Sequence, residues 1–164
     1  MLNIKQVRDL IIMPVLRTLD LPSDRPTNGV AACELLMGTA MQESRFEALH
    51  QYGGGPALGL WQMEPATATY NWTWLNTKAD IKASVMKFVT GQNWNDQLVG
   101  NLYLACALAR IDYYRQPAPL PAAGDLPAQA AYYKQYYNTP AGAATIEEYI
   151  TYWGIMQNAM AHQA

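Results

Sequence analysis

An apolar helical stripe that ends in a carboxylate restricts this chain more than any other feature. From Glu34 to Thr67 it reads ELLMGTAMQESRFEALHQYGGGPALGLWQMEPAT. Cys33 just before this stretch, and Leu36, Ala40 and Glu43 within it, recur at spacings of three, four and three, which is one face of an α-helix. Such a face packs inward, so the helix must carry Glu43 to the edge of a core. A partly buried carboxyl without a cationic partner has its pKa raised, because the ionised form loses hydration. The C-terminal end of a helix disfavours negative charge and pushes the same way. A group held like this keeps its proton near neutral pH and can donate it, as a general acid must.

The rest of the chain reads as a series of helices. Residues 3 to 18 supply Val7, Leu10, Ile11, Met13 and Val15 as apolar surface, with Pro14 expected to bend the helix. LPSDRPTNG is a loop, and Thr27 or Asn28 is positioned to cap the helix that delivers Glu43. Residues 50 to 64 are Gly-rich and fit either a short hairpin or tight turns. Thr77 with Asp80 has the spacing of a capping box, opening a helix with Ile81, Val85 and Phe88 that stops at Gly91. Asn95 is placed to cap a long apolar helix over 96 to 115. Its two stripes, Leu98, Leu102, Ala105, Ala109 and Leu104, Leu108, Ile111, predict burial on most sides. QPAPLPAAGDLP must be an extended connector, and Pro127 suits the first turn of a helix ending near Tyr137. Thr145 with Glu148 forms a second capping-box pattern, before a helix whose inner face is Tyr149, Trp153, Met156 and Met160.

Composition removes several classes of function. The chain has 164 residues, enough for one proper core, with 51% hydrophobic and only 15% charged residues, so it is globular and not disordered. A formal charge of -2 and the lack of a basic patch speak against nucleic acid as a partner. Cys33 and Cys106 both lie in apolar helical patterns and read as buried free thiols rather than a disulfide. His50 and His162 stand apart with no metal-type spacing, so neither a metal site nor a cofactor is expected. The first residues do not form a signal peptide, because Pro14 interrupts a short apolar run, and no stretch approaches a membrane span. The run Gly53-Gly54-Gly55 lacks the Lys-Ser/Thr of a phosphate-binding loop.

Four motifs occur in order over roughly residues 30 to 140. They are Gln42-Glu43-Ser44, then Ala57-Leu58-Gly59-Leu60-Trp61-Gln62-Met63 with Pro65-Ala66-Thr67, then Gly100-Asn101-Leu102-Tyr103-Leu104, then Tyr136-Tyr137-Asn138. Together they resemble the soluble lytic transglycosylase family of the lysozyme superfamily. That family carries a helix ending in Glu-Ser, a Gly-Ala-x-Gly-Leu-Met-Gln segment with Pro-Ala-Thr, a Gly-x-x-Tyr-Leu helix and a Tyr-Asn. Pro56 and Trp61 stand where glycine and methionine are usual, and Thr139-Pro140 replaces Ala-Gly, which bears on the far wall of a cleft. The resemblance implies a mainly α, lysozyme-like single domain over residues 1 to 164, with at most a small β-hairpin. It implies cleavage of the MurNAc–GlcNAc β-1,4 bond of peptidoglycan, with formation of a 1,6-anhydro sugar and no cofactor. A hydrolytic muramidase of goose-lysozyme type is the near alternative, and a non-catalytic glycan-binding or virion structural module the distant one.

The resemblance gives Glu43 the role of acid and base, and Tyr137 that of a phenol placed beside it. Tyr132, Tyr133, Tyr136 and Tyr137 crowd one segment, so the register of that phenol is open. Ser44 either bonds near the leaving group or caps local backbone. Gln62 either faces sugar, where an amide both donates and accepts, or bonds the Gly-rich backbone. Gly59 permits a close approach that a side chain forbids. Leu60 and Met63 fit core or cleft wall, and Asn138 either touches sugar or ends its helix. Glu47 and Glu64 are the nearby carboxylates for any two-carboxyl mechanism. Tyr52, Trp72, Trp74 and Trp94 read as core more than as sugar platforms. A leaderless wall-degrading chain is expected in a bacteriophage, in the virion or in host cytoplasm before release. It would act in the cell wall or periplasm, with glycan strands and other virion proteins as partners.

Overall fold

Pro14 has no N–H to give to a helical ladder, and the chain accommodates it by widening that ladder. The first helix, α1, is composite: Ile4–Gln6 is α-helical, Val7–Ile12 is π-helical and Met13–Leu19 is α-helical again. The Met13 N–H donates to the Arg8 carbonyl, an i→i−5 bond, so the expected bend takes the form of a π-helical stretch. The computed structural model describes residues 1–163. It is mainly helical, with 62% of residues in helices.

The helix that carries Glu43, α2, spans Val30–Ser44. Its N-cap is Gly29, and neither expected residue caps it in the ordinary way. Asn28 sits in the left-handed region (φ 50°), while the Thr27 hydroxyl accepts from the Ala31 N–H at 3.3 Å. Beyond Ser44, Arg45 and Phe46 both take positive φ (56° and 53°), which turns the chain sharply and leaves Glu43 at the last turn. The Gly-rich segment then forms tight turns. No strand forms among the described residues; the β pairing there is two isolated bridges, His50 with Leu58 and Leu58 with Met63.

Next comes a helix that the sequence reading misses, α3 (Pro65–Leu75). Its run ATATYNWTWL is poor in strong helix formers. Pro65 nevertheless presets the first turn, and the Thr69 and Thr73 hydroxyls donate to carbonyls one turn back. The capping box at Thr77 does not form. Thr77 donates instead to the Trp74 carbonyl, and α4 (Ala79–Met86) starts after Lys78 and ends well before Gly91. The long helix over 96 to 115 is also divided, into α5 (Trp94–Gly100) and α6 (Leu102–Tyr114). Asn101 makes the break. Its φ/ψ of -112°/87° is not helical, its Oδ1 accepts from the Leu104 N–H, and its Nδ2 donates to the Phe88 carbonyl. Asn93, not Asn95, caps α5. Every residue of α6 from Leu104 to Tyr113 is buried, as its two stripes predict.

The Pro-rich connector is extended, and Glu34 of α2 ties it down by accepting from Gly124 N–H and Gln129 Nε2, both at 2.7 Å. Helix α7 (Leu126–Tyr136) has Pro127 in its first turn, and α8 (Ile146–His162) opens with the complete Thr145–Glu148 capping box. Tyr149 and Met156 of α8 are buried, with Trp153 and Met160 packed beside them. Cys33 and Cys106 are buried free thiols. No helix among the described residues is long and apolar enough to cross a membrane.

A fully buried ion pair crosses this core. Arg110 of α6 donates from Nε and Nη2 to the two carboxyl oxygens of Asp24, at 3.2 and 2.6 Å, and from Nη2 to the Ser23 hydroxyl at 2.7 Å. Asp24→Ala leaves that guanidinium buried and unpaired, and is expected to cost about 3–5 kcal/mol of unfolding free energy in a urea titration. A loss under about 1 kcal/mol, the size of an exposed pair, would mean that the loop before α2 is held by other contacts.

Candidate functional site

Glu43 enters a groove of about 390 Å³ at the end of α2. Its neighbours along the groove come from four places in the chain. Gln51, Ala57, Gln62, Met63 and Glu64 belong to the turns after α2, and Thr67 belongs to α3. Asp112 comes from α6, and Tyr137, Asn138 and Thr139 follow α7. The Glu43 carboxyl is half-buried, and no Lys or Arg among the described residues forms an ion pair with it. Burial pushes its pKa above the usual 4.5, and a hydrogen bond from Tyr133 pulls it partly back by favouring the charged form.

The phenol at the acid is Tyr133, one helical turn before the expected Tyr137. Tyr133 Oη donates to Glu43 Oε1 at 2.6 Å, whereas Tyr137 Oη donates to the Trp61 carbonyl at 2.7 Å. The two tyrosines are separated by four residues and so share a helix face, which is why either fits the same pattern. The turn at the helix end drops Tyr137 toward the GLWQM segment (φ -108° at its C-cap position). Tyr137 still lines the groove, with its ring beside those of Tyr113 and Tyr133.

Three of the expected binding residues do not reach the groove. Ser44 is buried, donates to the Ala40 carbonyl at 3.0 Å and accepts from the Phe46 N–H, so it shapes the turn after the helix. Leu60 is fully buried in the core. Gly59 has φ 73°, and a Cβ there would lie 2.1 Å from the Leu98 carbonyl oxygen. Its role is to let the turn lie against the end of α5.

Three others do line it. Gln62 sits at φ 44° and its amide Nε2 donates to the Gly59 carbonyl at 2.8 Å, so it is both a backbone brace and a groove wall. Met63 is buried under the groove, with its sulfur facing Asn71 Nδ2 at 3.9 Å. Asn138 is fixed by Lys134, whose Nζ donates to Asn138 Oδ1 at 2.9 Å and to the Gly142 carbonyl at 2.6 Å. That clamp borders the far wall where Thr139-Pro140 departs from Ala-Gly, and Thr139 itself sits at φ 68°.

Trp61 explains how the turn is fastened. The indole is fully buried and donates from Nε1 to the Leu36 carbonyl of α2 at 3.0 Å. Its own carbonyl receives Tyr137, so one residue joins the helix bearing the acid to the helix bearing the phenol. Trp72 packs edge-on against Trp94 and Trp74 against Tyr114, and none of these tryptophans lines the groove. Glu47 is taken up by the Met1 ammonium at 3.1 Å, while Glu64 is exposed on the groove rim. Asp112 was not among the expected residues. It hides within an apolar run, and only the folded chain shows which side of α6 opens to the groove.

Two measurements follow from this geometry. A carboxyl whose folded pKa is raised adds stability that is complete below its unfolded value and lost as pH rises through the folded value. Glu43→Gln, which never ionises, is therefore expected to melt higher than the parent at pH 7.5 and with no gain at pH 4. Equal melting differences at both pH values would show that the carboxyl is not perturbed. Tyr133→Phe removes the donor that favours the charged form, so the Glu43 titration followed by NMR should move to higher pH. No movement, or a movement down, would remove Tyr133 from the acid's surroundings.

Comparison of the chain with protein-family models, with curated proteins and with solved structures returned no match in any of the three.

Proposed function

We propose that this chain is a lytic transglycosylase of lysozyme-like fold, cleaving the MurNAc–GlcNAc β-1,4 bond of peptidoglycan with Glu43 as the acid and base. The observation that carries this reading is a half-buried carboxyl in an open groove, with raised pKa, no cationic partner and a phenol to orient it. The ordered motifs around Glu43, Gly59-Leu60-Trp61-Gln62 and Tyr137-Asn138 support it as a resemblance.

The chemistry balances on one carboxyl group. Protonated Glu43 gives its proton to the glycosidic oxygen, the bond to the MurNAc anomeric carbon breaks, and GlcNAc leaves with a free 4-hydroxyl. The MurNAc C6 hydroxyl then bonds to its own anomeric carbon and returns a proton to the Glu43 carboxylate. No water is consumed, and the product is 1,6-anhydroMurNAc. Tyr133 holds the carboxyl in place through both transfers, while Gln62 and Asn138 offer amides to sugar hydroxyls or N-acetyl groups. A raised pKa suits the first step, since an acid works best when its pKa lies near the operating pH.

The second reading is a hydrolytic muramidase, and Asp112 is the observation that favours it, as a second carboxylate on the same groove. The setting we propose is a bacteriophage, with the chain either riding in the virion or released to the wall late in infection. Digestion of purified sacculi tests the whole reading. The parent is expected to release anhydro-muropeptides, and Glu43→Gln to lose on the order of 10²–10⁴-fold in rate. Release of reducing-end MurNAc alone would select hydrolysis. A Glu43→Gln protein that clears sacculi as fast as the parent would end the assignment, and binding without release would point to a non-catalytic module.

A further inference from the structure

Asp112 borders the groove and has no task in the transglycosylase reading. Its side chain is 9% exposed, and its Oδ1 accepts from Arg115 Nη2 at 2.7 Å. Arg115 is itself held, with its guanidinium 4.5 Å from the Tyr70 ring centre. Keeping two charges out of water costs several kcal/mol for each ion, and apolar residues of similar size would pack α6 equally well. An ion pair kept at the wall of an open groove therefore points to a use for its charge.

The two groove carboxyls differ in one respect. Glu43 has no cation, and burial pushes its pKa up against the opposing bond from Tyr133, so it is equipped to carry a proton. Asp112 has a cation of its own, and the bond from Arg115 favours the charged form against the burial that pushes its pKa up. Tyr137 lines the same groove as both carboxyls. Glycosidic cleavage passes through an oxocarbenium-like state with positive charge on the sugar ring. A charge fixed in advance in a half-enclosed groove stabilises such a state without reorganising.

Resting on the transglycosylase reading of this groove, we propose that Asp112, locked by Arg115, supplies the fixed negative charge that stabilises the sugar cation formed when Glu43 gives up its proton. Glu43 comes to this site from α2, Glu64 from the N-cap of α3, Tyr133 and Tyr137 from α7, and Arg115 from the helix of Asp112 itself. Burial pushes the Asp112 carboxyl up, and Arg115 with Asn71 opposes that, so loss of Arg115 raises the pH at which Asp112 takes up a proton.

The test uses three variants beside Glu43→Gln, with sacculus digestion for rate, chitotetraose titration for binding, and a melting curve for fold. Asp112→Asn keeps the shape and removes the charge. It is expected to lose about 10²-fold in maximal rate, with chitotetraose affinity within twofold of the parent and the acid limb of the pH–rate profile gone. Arg115→Gln keeps the carboxylate, and should move that acid limb to higher pH. Asp112→Glu should recover part of the rate, and it carries the test together with Arg115→Gln if the asparagine protein does not fold. A parent-like rate for Asp112→Asn, an equal fall in rate and affinity, or an unmoved acid limb in Arg115→Gln would overturn the proposal. If Glu43→Gln also keeps the parent rate, the transglycosylase reading has failed; if only Asp112→Asn keeps it, that reading stands and Asp112 is a structural pair.

Discussion

Withdrawal of one carboxyl from water is the constraint around which this structure is arranged. Glu43 sits at the end of α2 on a face that is otherwise apolar, where ionisation is opposed by lost hydration and by the helix's own carbonyls. The short bond from Tyr133 ties the carboxyl to α7 and favours the charged form somewhat. The result is a compromise between two demands. The carboxyl is dry enough for its pKa to be raised, and it has a polar neighbour that bonds to it at the groove.

Tyrosines do most of the positioning. Tyr113, Tyr132, Tyr133, Tyr137 and Tyr149 form a run of tilted and stacked rings linking α6, α7 and α8, with Tyr113 also exchanging a hydrogen bond with Thr39 of α2. Each ring offers a large apolar face and one hydroxyl, which suits a core that must end in a polar groove. Trp61 extends the same logic to the turn, giving its N–H to α2 and receiving Tyr137 at its carbonyl. The carboxyl, the phenol and the groove wall are thus fixed to one another by buried aromatic groups.

Much of this was legible in the amino-acid sequence where local chemistry decides. The Glu43 stripe, the Thr145–Glu148 box, Pro127 in a first turn and the extended proline connector are all properties of a few adjacent residues. The misses share a different cause. Thr77 and Asp80 have the spacing of a box, but Thr77 found an earlier carbonyl in Trp74. The break at Asn101 depends on the Phe88 carbonyl, which lies 13 positions away. Helix α3 runs against its own propensities, and Tyr133 and Tyr137 are equivalent in any helical pattern. Around the groove, Ser44 turns inward where the chain reverses directly after α2, Leu60 is taken into the core, and Asp112 was hidden because its run looks like core from the letters alone.

The contact between Gly59 and the Leu98 carbonyl has a consequence for anyone wishing to alter what this groove accepts. Position 59 admits no side chain, and positions 60 and 61 are sealed in the interior, so the middle of the turn is closed to diversification. Variation has to come from its margins, at Glu64 and Thr67, whose side chains border the opening; Gln51 cannot join them, because its Oε1 accepts from the Ala57 N–H at 3.2 Å and braces the turn. A library confined to those margins keeps the scaffold, whereas one that randomises the GLW core dismantles it.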